Sequence, residues 1–89
     1  MAKVTIYTGI MCGFCERAKD FLKEKGIDFT EINIFTNPDK KNEMIKLSGG
    51  RQTVPQIFIG RSHVGGWDDL YELYSKGNLD ELLLNEGRE

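Results

Sequence analysis

Cys12 and Cys15 are the only cysteines in the 89 residues, and Gly13 and Phe14 stand between them. A Cys-x-x-Cys pair that follows a strand-like run and opens a charged, helix-periodic one is the arrangement of a thiol/disulfide redox site. The reacting species is the thiolate. A cysteine at a helix start meets the unpaired first N–H groups and the positive end of the helix dipole, which lowers a thiol from about 8.5 by one to several units. Cys12 is therefore expected to be the nucleophile. Cys15, one turn on and on the same face, can reach its sulfur from nearer the core and suits the resolving role. The expected cycle is attack by Cys12 on a substrate disulfide, then release of the mixed disulfide by Cys15 or by an external thiol.

Other uses of the pair fit less well. A disulfide between them closes too short a ring to restrain the unfolded chain much, so a structural staple is disfavoured. Structural zinc wants four ligands, whereas one chain offers these two cysteines and His63, so no metal site is expected within a monomer. Two buried cysteines acting as small hydrophobes remain the bland alternative, against which the helix-start placement argues.

The elements that must position these sulfurs can be read in order. Lys3 to Tyr7 alternates as a strand, with Val4 and Ile6 on one face. From Gly13 a helix follows with Cys15, Ala18, Phe21 and Leu22 as its apolar stripe, ended by Gly26 with Ile27 as the following apolar contact. Asp28 to Phe35 reads as a second strand, parallel to the first through a βαβ crossover. Asn37-Pro38-Asp39 is read as a second helix start, with Asn37 as N-cap and Met44, Ile45 and Leu47 facing the sheet, stopped by Ser48-Gly49-Gly50. Gln56 to Ile59 is the clearest central strand, joined through Gly60-Arg61-Ser62 to His63-Val64 as a hairpin. Trp67 or Asp68 opens a third helix carrying Leu70, Leu73 and Tyr74 and closing near Gly77. Asn78-x-x-Glu81 resembles a capping box for a last helix with Leu79, Leu82 and Leu83, and residues 84–89 are expected to fray. The expectation is a single α/β domain over residues 1–89, a four-stranded mixed sheet flanked by helices in the order β-α-β-α-β-β-α-α.

Composition narrows the partners. With 39% hydrophobic and 29% charged residues the chain reads as an ordinary globular protein, and a net charge of −2 with interleaved lysines and acids supplies no field for nucleic acid. No apolar stretch approaches the roughly 20 residues that span a bilayer, and the N-terminus enters strand alternation without a signal core, so no membrane partner and a cytoplasmic location are expected. Pro55, directly before the central strand, is read from spacing alone as a trans proline starting that strand, a cis bond being the alternative.

Cys12-Gly13-Phe14-Cys15, Thr53-Val54-Pro55-Gln56-Ile57-Phe58-Ile59 and His63-Val64-Gly65-Gly66-Trp67-Asp68-Asp69 together resemble a glutaredoxin, over nearly the whole chain. The resemblance implies a thioredoxin-like fold with Pro55 cis, overriding the spacing argument. It also implies glutathione as co-substrate and, as partners, disulfide-bearing or glutathionylated proteins. Val54 would pair its backbone with extended glutathione, Thr53 would lie beside it, and Arg51 could meet the glycyl carboxylate. Trp67, Asp68 and Asp69 match the helix start that holds the γ-glutamyl end.

Two departures from the family pattern shape the alternatives. Gly13-Phe14 stands where many dithiol members have proline and tyrosine, and Gly-Phe is shared with the commonest monothiol motif. The absence of proline could let iron approach Cys12, which implies a second reading: a dimer carrying a [2Fe-2S] cluster on Cys12 of each subunit and two glutathione thiolates. A lysine usual in the loop before the first cysteine is missing from Thr8-Gly9-Ile10-Met11. That leaves room for a third reading, a glutaredoxin-like redoxin reduced by a thioredoxin reductase; apart from the cluster-bridged dimer the chain is expected to be a monomer. His63 is taken as a hairpin residue, Met11, Phe14 and Trp67 as an apolar rim, and Tyr7 and Tyr71 as packing.

Overall fold

The computed structural model describes residues 2–87. Its elements are β1 (Val4–Thr8), α1 (Gly13–Glu24), β2 (Thr30–Asn33), α2 (Asp39–Leu47), β3 (Gln56–Ile59), β4 (Ser62–Gly65), α3 (Trp67–Ser75) and α4 (Leu79–Glu86), in the order read from the sequence. The sheet runs β2-β1-β3-β4. β1 and β2 are parallel with Tyr7 opposite Ile32, while β3 is antiparallel to β1 with Ile6 opposite Ile57, and β4 is antiparallel to β3.

Period-two alternation divides the core between the two faces of this sheet. Val4, Ile6, Ile57 and Ile59 join Ala18 and Leu22 of α1, Leu70 of α3 and Leu79 and Leu83 of α4 on one side. Tyr7 and Phe58 meet Met44 of α2 on the other. β3 is covered on both faces, and all four of its residues are buried, as its unbroken Gln-Ile-Phe-Ile run implies. Each fully buried aliphatic side chain stabilises the fold by roughly 1.5–3 kcal/mol, so the three-helix side carries most of the hydrophobic stabilisation.

The helix ends are set by glycine. At α1 the Ile27 N–H reaches the Leu22 carbonyl at 2.9 Å and the Gly26 N–H reaches Lys23 at 3.0 Å, with Gly26 at φ 69°. This is a Schellman closure, which only a left-handed residue completes. It also fixes the angle at which the chain turns back into β2.

Several local expectations are corrected. Leu47 is 55% exposed, because α2 alone covers its face of the sheet and its last turn overhangs a hollow bounded by Tyr7, Phe58 and Gly60. Asn37 does not cap α2: its side-chain amide donates to the Asn33 carbonyl and to Thr36 Oγ1, both at 3.1 Å. Asn78 forms no capping box. Its N–H closes the preceding helix on the Leu73 carbonyl at 3.0 Å, which holds its backbone in the helical region and its side chain away from the first turn. α4 continues to Glu86 instead of fraying from Leu84, held by buried Leu83 and by Glu86, whose carboxylate accepts from the Arg61 N–H at 2.9 Å. Residues 88–89 of the expected fray lie outside the described residues. Tyr74 is 39% exposed, with its ring edge-on to Phe21 at 5.1 Å and its hydroxyl accepting from Lys25, so it caps the α1–α3 seam from outside.

Candidate active site

Cys12 is the residue at which strand geometry becomes helix geometry. Its backbone is extended (φ −109°, ψ 101°), its carbonyl accepts the first helical hydrogen bond from Glu16 at 3.2 Å, and its sulfur accepts from the Cys15 N–H at 3.1 Å. The sulfur thus takes the place that a serine or aspartate oxygen usually occupies at an N-cap. Cys12 and Cys15 are joined by a disulfide, with their Cα atoms 5.2 Å apart, well inside the span that such a bond bridges. Cys15 is 1% exposed and Cys12 is half-buried, so an incoming group meets Cys12 first.

Two loops bring the site together. Met11 adopts a left-handed backbone (φ 49°) and is 96% exposed, turning the chain out of β1 so that Cys12 stands at the tip. Gly9, in the same loop, lies against Val54: a Cβ on Gly9 would meet Val54 Cγ2 at 3.1 Å. The Val54-Pro55 bond is cis, and the Val54 carbonyl oxygen lies 3.7 Å from the Cys12 sulfur.

Beside the sulfur is a groove of about 230 Å³ lined by Phe14 at one end, by Arg51, Thr53, Val54 and Pro55 along one side, and by Gly66, Trp67, Asp68 and Asp69 at the start of α3. All seven residues singled out beside the cysteines in the sequence converge on it; Phe14 and Gly66 were not among them. Two helix starts therefore border one groove, where their free N–H groups and Arg51 favour negative charge, Asp68 opposes it, and so does Asp69. Its carboxylate accepts from the Gly66 N–H at 2.9 Å, capping α3, and lies 3.7 Å from the Arg51 guanidinium.

Behind the groove is a polar chain that the sequence reading missed. Gln56 is fully buried; its amide nitrogen donates to the Thr53 carbonyl at 3.0 Å and to Thr53 Oγ1 at 3.2 Å, and its amide oxygen lies 2.7 Å from His63 Nε2. His63 packs its ring on Phe58 at 4.9 Å. Burial, reinforced by the Arg51 cation and opposed by Asp69, holds the His63 imidazole below its ordinary value of 6.5. The signal available in the sequence was a glutamine in an otherwise apolar central strand.

The apolar rim is only partly formed. Met11 and Phe14 are exposed, and Arg17 lies over the Phe14 ring at 5.9 Å, but Trp67 packs edge-on against Phe21 at 5.5 Å. Tyr7 is buried as expected, whereas Tyr71 is 51% exposed and stacks on Trp67 from outside. Among the described residues no group of three or more His, Cys, Asp or Glu side chains could hold a metal ion, and no helix is long and apolar enough to cross a membrane.

Comparison with known proteins gives the same picture from a different direction. The family model described as Glutaredoxin matches residues 4–64. Glutaredoxin 3 of Escherichia coli strain K12 is 55% identical over 83 residues, covering 93% of this chain and 99% of that protein. The solution structure of glutaredoxin from Brucella melitensis superposes with a TM-score of 0.81 at 49% identity, covering all of this chain (100%) and 95% of the other. The crystal structure of the buckwheat glutaredoxin-glutathione complex superposes with a TM-score of 0.81 at 28% identity, covering 94% and 78%. The sheet order and flanking helices are those of a thioredoxin-like fold.

Proposed function

This chain belongs to the glutaredoxin family of thiol-disulfide oxidoreductases, and from that premise we propose that it reduces protein disulfides and glutathione mixed disulfides with glutathione as reductant. Cys12 is the nucleophile and Cys15 the resolving thiol. The observation that carries the reading is the groove itself: it is lined by Arg51, by the start of α3 and by Val54, whose carbonyl oxygen lies 3.7 Å from the half-exposed Cys12 sulfur. A solved relative with glutathione bound supports the same ligand here.

In the proposed cycle the Cys12 thiolate, stabilised by the Cys15 N–H, attacks the glutathione sulfur of a mixed disulfide. The protein thiol leaves as thiolate and takes up a proton, and glutathione remains joined to Cys12. A second glutathione thiolate attacks its sulfur, forming oxidised glutathione and restoring the Cys12 thiolate; for a substrate disulfide, Cys15 displaces the substrate instead and leaves the Cys12–Cys15 disulfide. Arg51 and the α3 start hold the two carboxylate-bearing ends of glutathione, and Val54 aligns its backbone by strand addition. Thr53, Pro55, Trp67, Asp68 and Asp69 complete the groove. The compartment that fits such a glutathione-coupled cycle is the cytoplasm.

Turnover of a glutathionylated peptide with glutathione and glutathione reductase tests this directly. Wild type and Cys15→Ser should turn over, and Cys12→Ser should lose at least 100-fold, roughly the weight of removing a nucleophile. Retention of turnover by Cys12→Ser overturns the assignment, and faster turnover with thioredoxin reductase than with glutathione favours that reductase as donor.

A second reading uses the same sulfur. A Cβ on Gly13 would face open space, so no side chain at position 13 stands between Cys12 and a second copy of the chain. One chain offers a single accessible thiolate, and thiolate is the donor that [2Fe-2S] clusters take; the other ligands would be a second Cys12 and two glutathione thiols. Protein purified without oxygen in the presence of glutathione should then be coloured and dimeric. A colourless monomer removes this reading and leaves the first intact.

A further inference from the structure

Hydrogen-bond valence fixes the direction of the chain behind the groove. The Thr53 carbonyl can only accept, so the Gln56 group facing it must be the amide nitrogen and not the oxygen. The Gln56 oxygen then faces His63, and since that oxygen only accepts, His63 Nε2 must carry the proton. With Thr53 Oγ1 accepting the second amide hydrogen of Gln56, the threonine's own hydroxyl proton is left for another acceptor. Thr53 is exposed and lines the groove beside Arg51.

Resting on the reading of this groove as the glutathione site, we propose that Gln56, oriented by His63, is a positioning residue that commits the Thr53 hydroxyl to donate to a carbonyl or carboxylate oxygen of bound glutathione. Stability alone does not account for a fully buried glutamine here. An apolar side chain of similar volume avoids the cost of burying an amide and fits the rest of β3, so the polar residue serves orientation. Every buried side-chain nitrogen and oxygen among the described residues has a partner, and the free donor of the chain is the Thr53 hydroxyl at the groove. An anionic or carbonyl ligand is thereby favoured over one that offers a donor at that point.

The test is steady-state turnover of a glutathionylated peptide by the full chain. Thr53→Val, Gln56→Met and His63→Phe should each raise KM roughly three- to tenfold, the weight of one hydrogen bond, with kcat changed less than about twofold. Thr53→Ser keeps the hydroxyl and should keep the wild-type KM. Because the three residues form one chain, Thr53→Val/Gln56→Met should be no worse than the poorer single variant. Wild-type KM in both Gln56→Met and His63→Phe, or multiplying effects in the double variant, overturns the proposal while leaving the groove assignment standing. His63→Phe, at a half-buried edge strand, keeps the test decisive if Gln56→Met does not fold. Absence of turnover by wild type overturns the glutathione reading and the positioning role with it.

Discussion

The backbone N–H of Cys15 points at the sulfur of Cys12 across 3.1 Å, while the Cys15 side chain itself is almost fully buried. One residue thus supplies both a donor that stabilises negative charge on its neighbour and a second sulfur withdrawn from solvent. The two thiols of the reduced protein are therefore chemically unequal. Iodoacetamide at neutral pH should alkylate Cys12 at least tenfold faster than Cys15, since only Cys12 combines access with a helix-start setting. Peptide mass mapping of the reduced protein after brief labelling checks this, and equal labelling of both cysteines contradicts it.

The contact of Gly9 with Val54 gives a second expectation. A methyl at Gly9 would sit 3.1 Å from Val54 Cγ2, tighter than ordinary packing, and Val54 sits in the loop that faces Cys12. Gly9→Ala should destabilise by about 1 kcal/mol through overpacking and slow turnover by shifting that loop. Val54→Ala removes the clashing methyl, so Gly9→Ala/Val54→Ala should be more stable than the sum of the single effects, a coupling that denaturant unfolding resolves. Strict additivity would show that the two loops do not touch.

Why some of this was legible in the sequence and some was not follows from range. The βαβ start, the Gln56–Ile59 strand and the glycine helix stops are local patterns, since period-two alternation and a left-handed C′ residue are written in adjacent positions. Pro55 shows the limit of such reading: spacing favoured a trans bond, and the resemblance pointed to the cis bond that the fold contains. The gathering of Arg51, Thr53, Val54 and Asp69 in one groove also came from the resemblance, because no local rule brings the α2–β3 loop to the start of α3. The Gln56–His63 pairing was read by neither, although a glutamine in an apolar strand marked one end of it. Its partners lie on two strands and a loop, and a lone histidine in a hairpin carries no period. Asn78 failed for a related reason: its N–H is taken by the Leu73 carbonyl of the helix behind, and is not left for the Glu81 side chain that a capping box requires.

Arg51 separates binding from stability. Its pairing with Asp69 is long, 3.7 Å, and both side chains are about half exposed (47% and 49%), so the pair should contribute well under about 1 kcal/mol to folding. Arg51→Met should accordingly leave the unfolding midpoint nearly unchanged. If Arg51 holds a glutathione carboxylate, the same variant raises KM for a glutathionylated peptide about tenfold, as loss of a charge-assisted hydrogen bond does. A large loss of stability with unaltered KM would reverse the roles assigned here.

Acid should weaken the fold through Glu31. The Thr8 hydroxyl donates to its carboxylate at 2.7 Å and Lys19 lies 3.1 Å away, and these, the Thr8 bond foremost, hold Glu31 below its ordinary value of 4.5. A carboxylate with a depressed folded pKa stabilises the protein above the unfolded value, and that contribution is lost as pH falls through the folded one. Stability should therefore decline as pH drops below 4.5, and Glu31→Gln should show a shallower decline over the same window. Parallel curves for the two proteins in urea titrations would exclude Glu31 as a source.

Alkali should act through Tyr7 with the opposite dependence. Burial first, and then the hydrogen bond to Glu43 at 2.6 Å and that carboxylate's charge, push the phenol from 10.0 up to about 12. The neutral phenol is the form the fold favours, so its contribution is complete below the unfolded value and disappears as pH rises through the folded one. Two units of preference correspond to about 2.7 kcal/mol, which the partly exposed Glu43 partner reduces to roughly 1–2 kcal/mol. Lys19, also raised, mainly by its bond to Glu16, loses its contribution in the same direction, so the comparison must be with Tyr7→Phe and not with wild type alone. Between pH 10 and 12 the stability of wild type should fall more steeply than that of Tyr7→Phe, and the ultraviolet phenolate band should contain a late-ionising component that is absent from the variant. Identical phenolate titrations of wild type and Tyr7→Phe at the alkaline end would mean that the phenol of Tyr7 is neither buried nor held by Glu43.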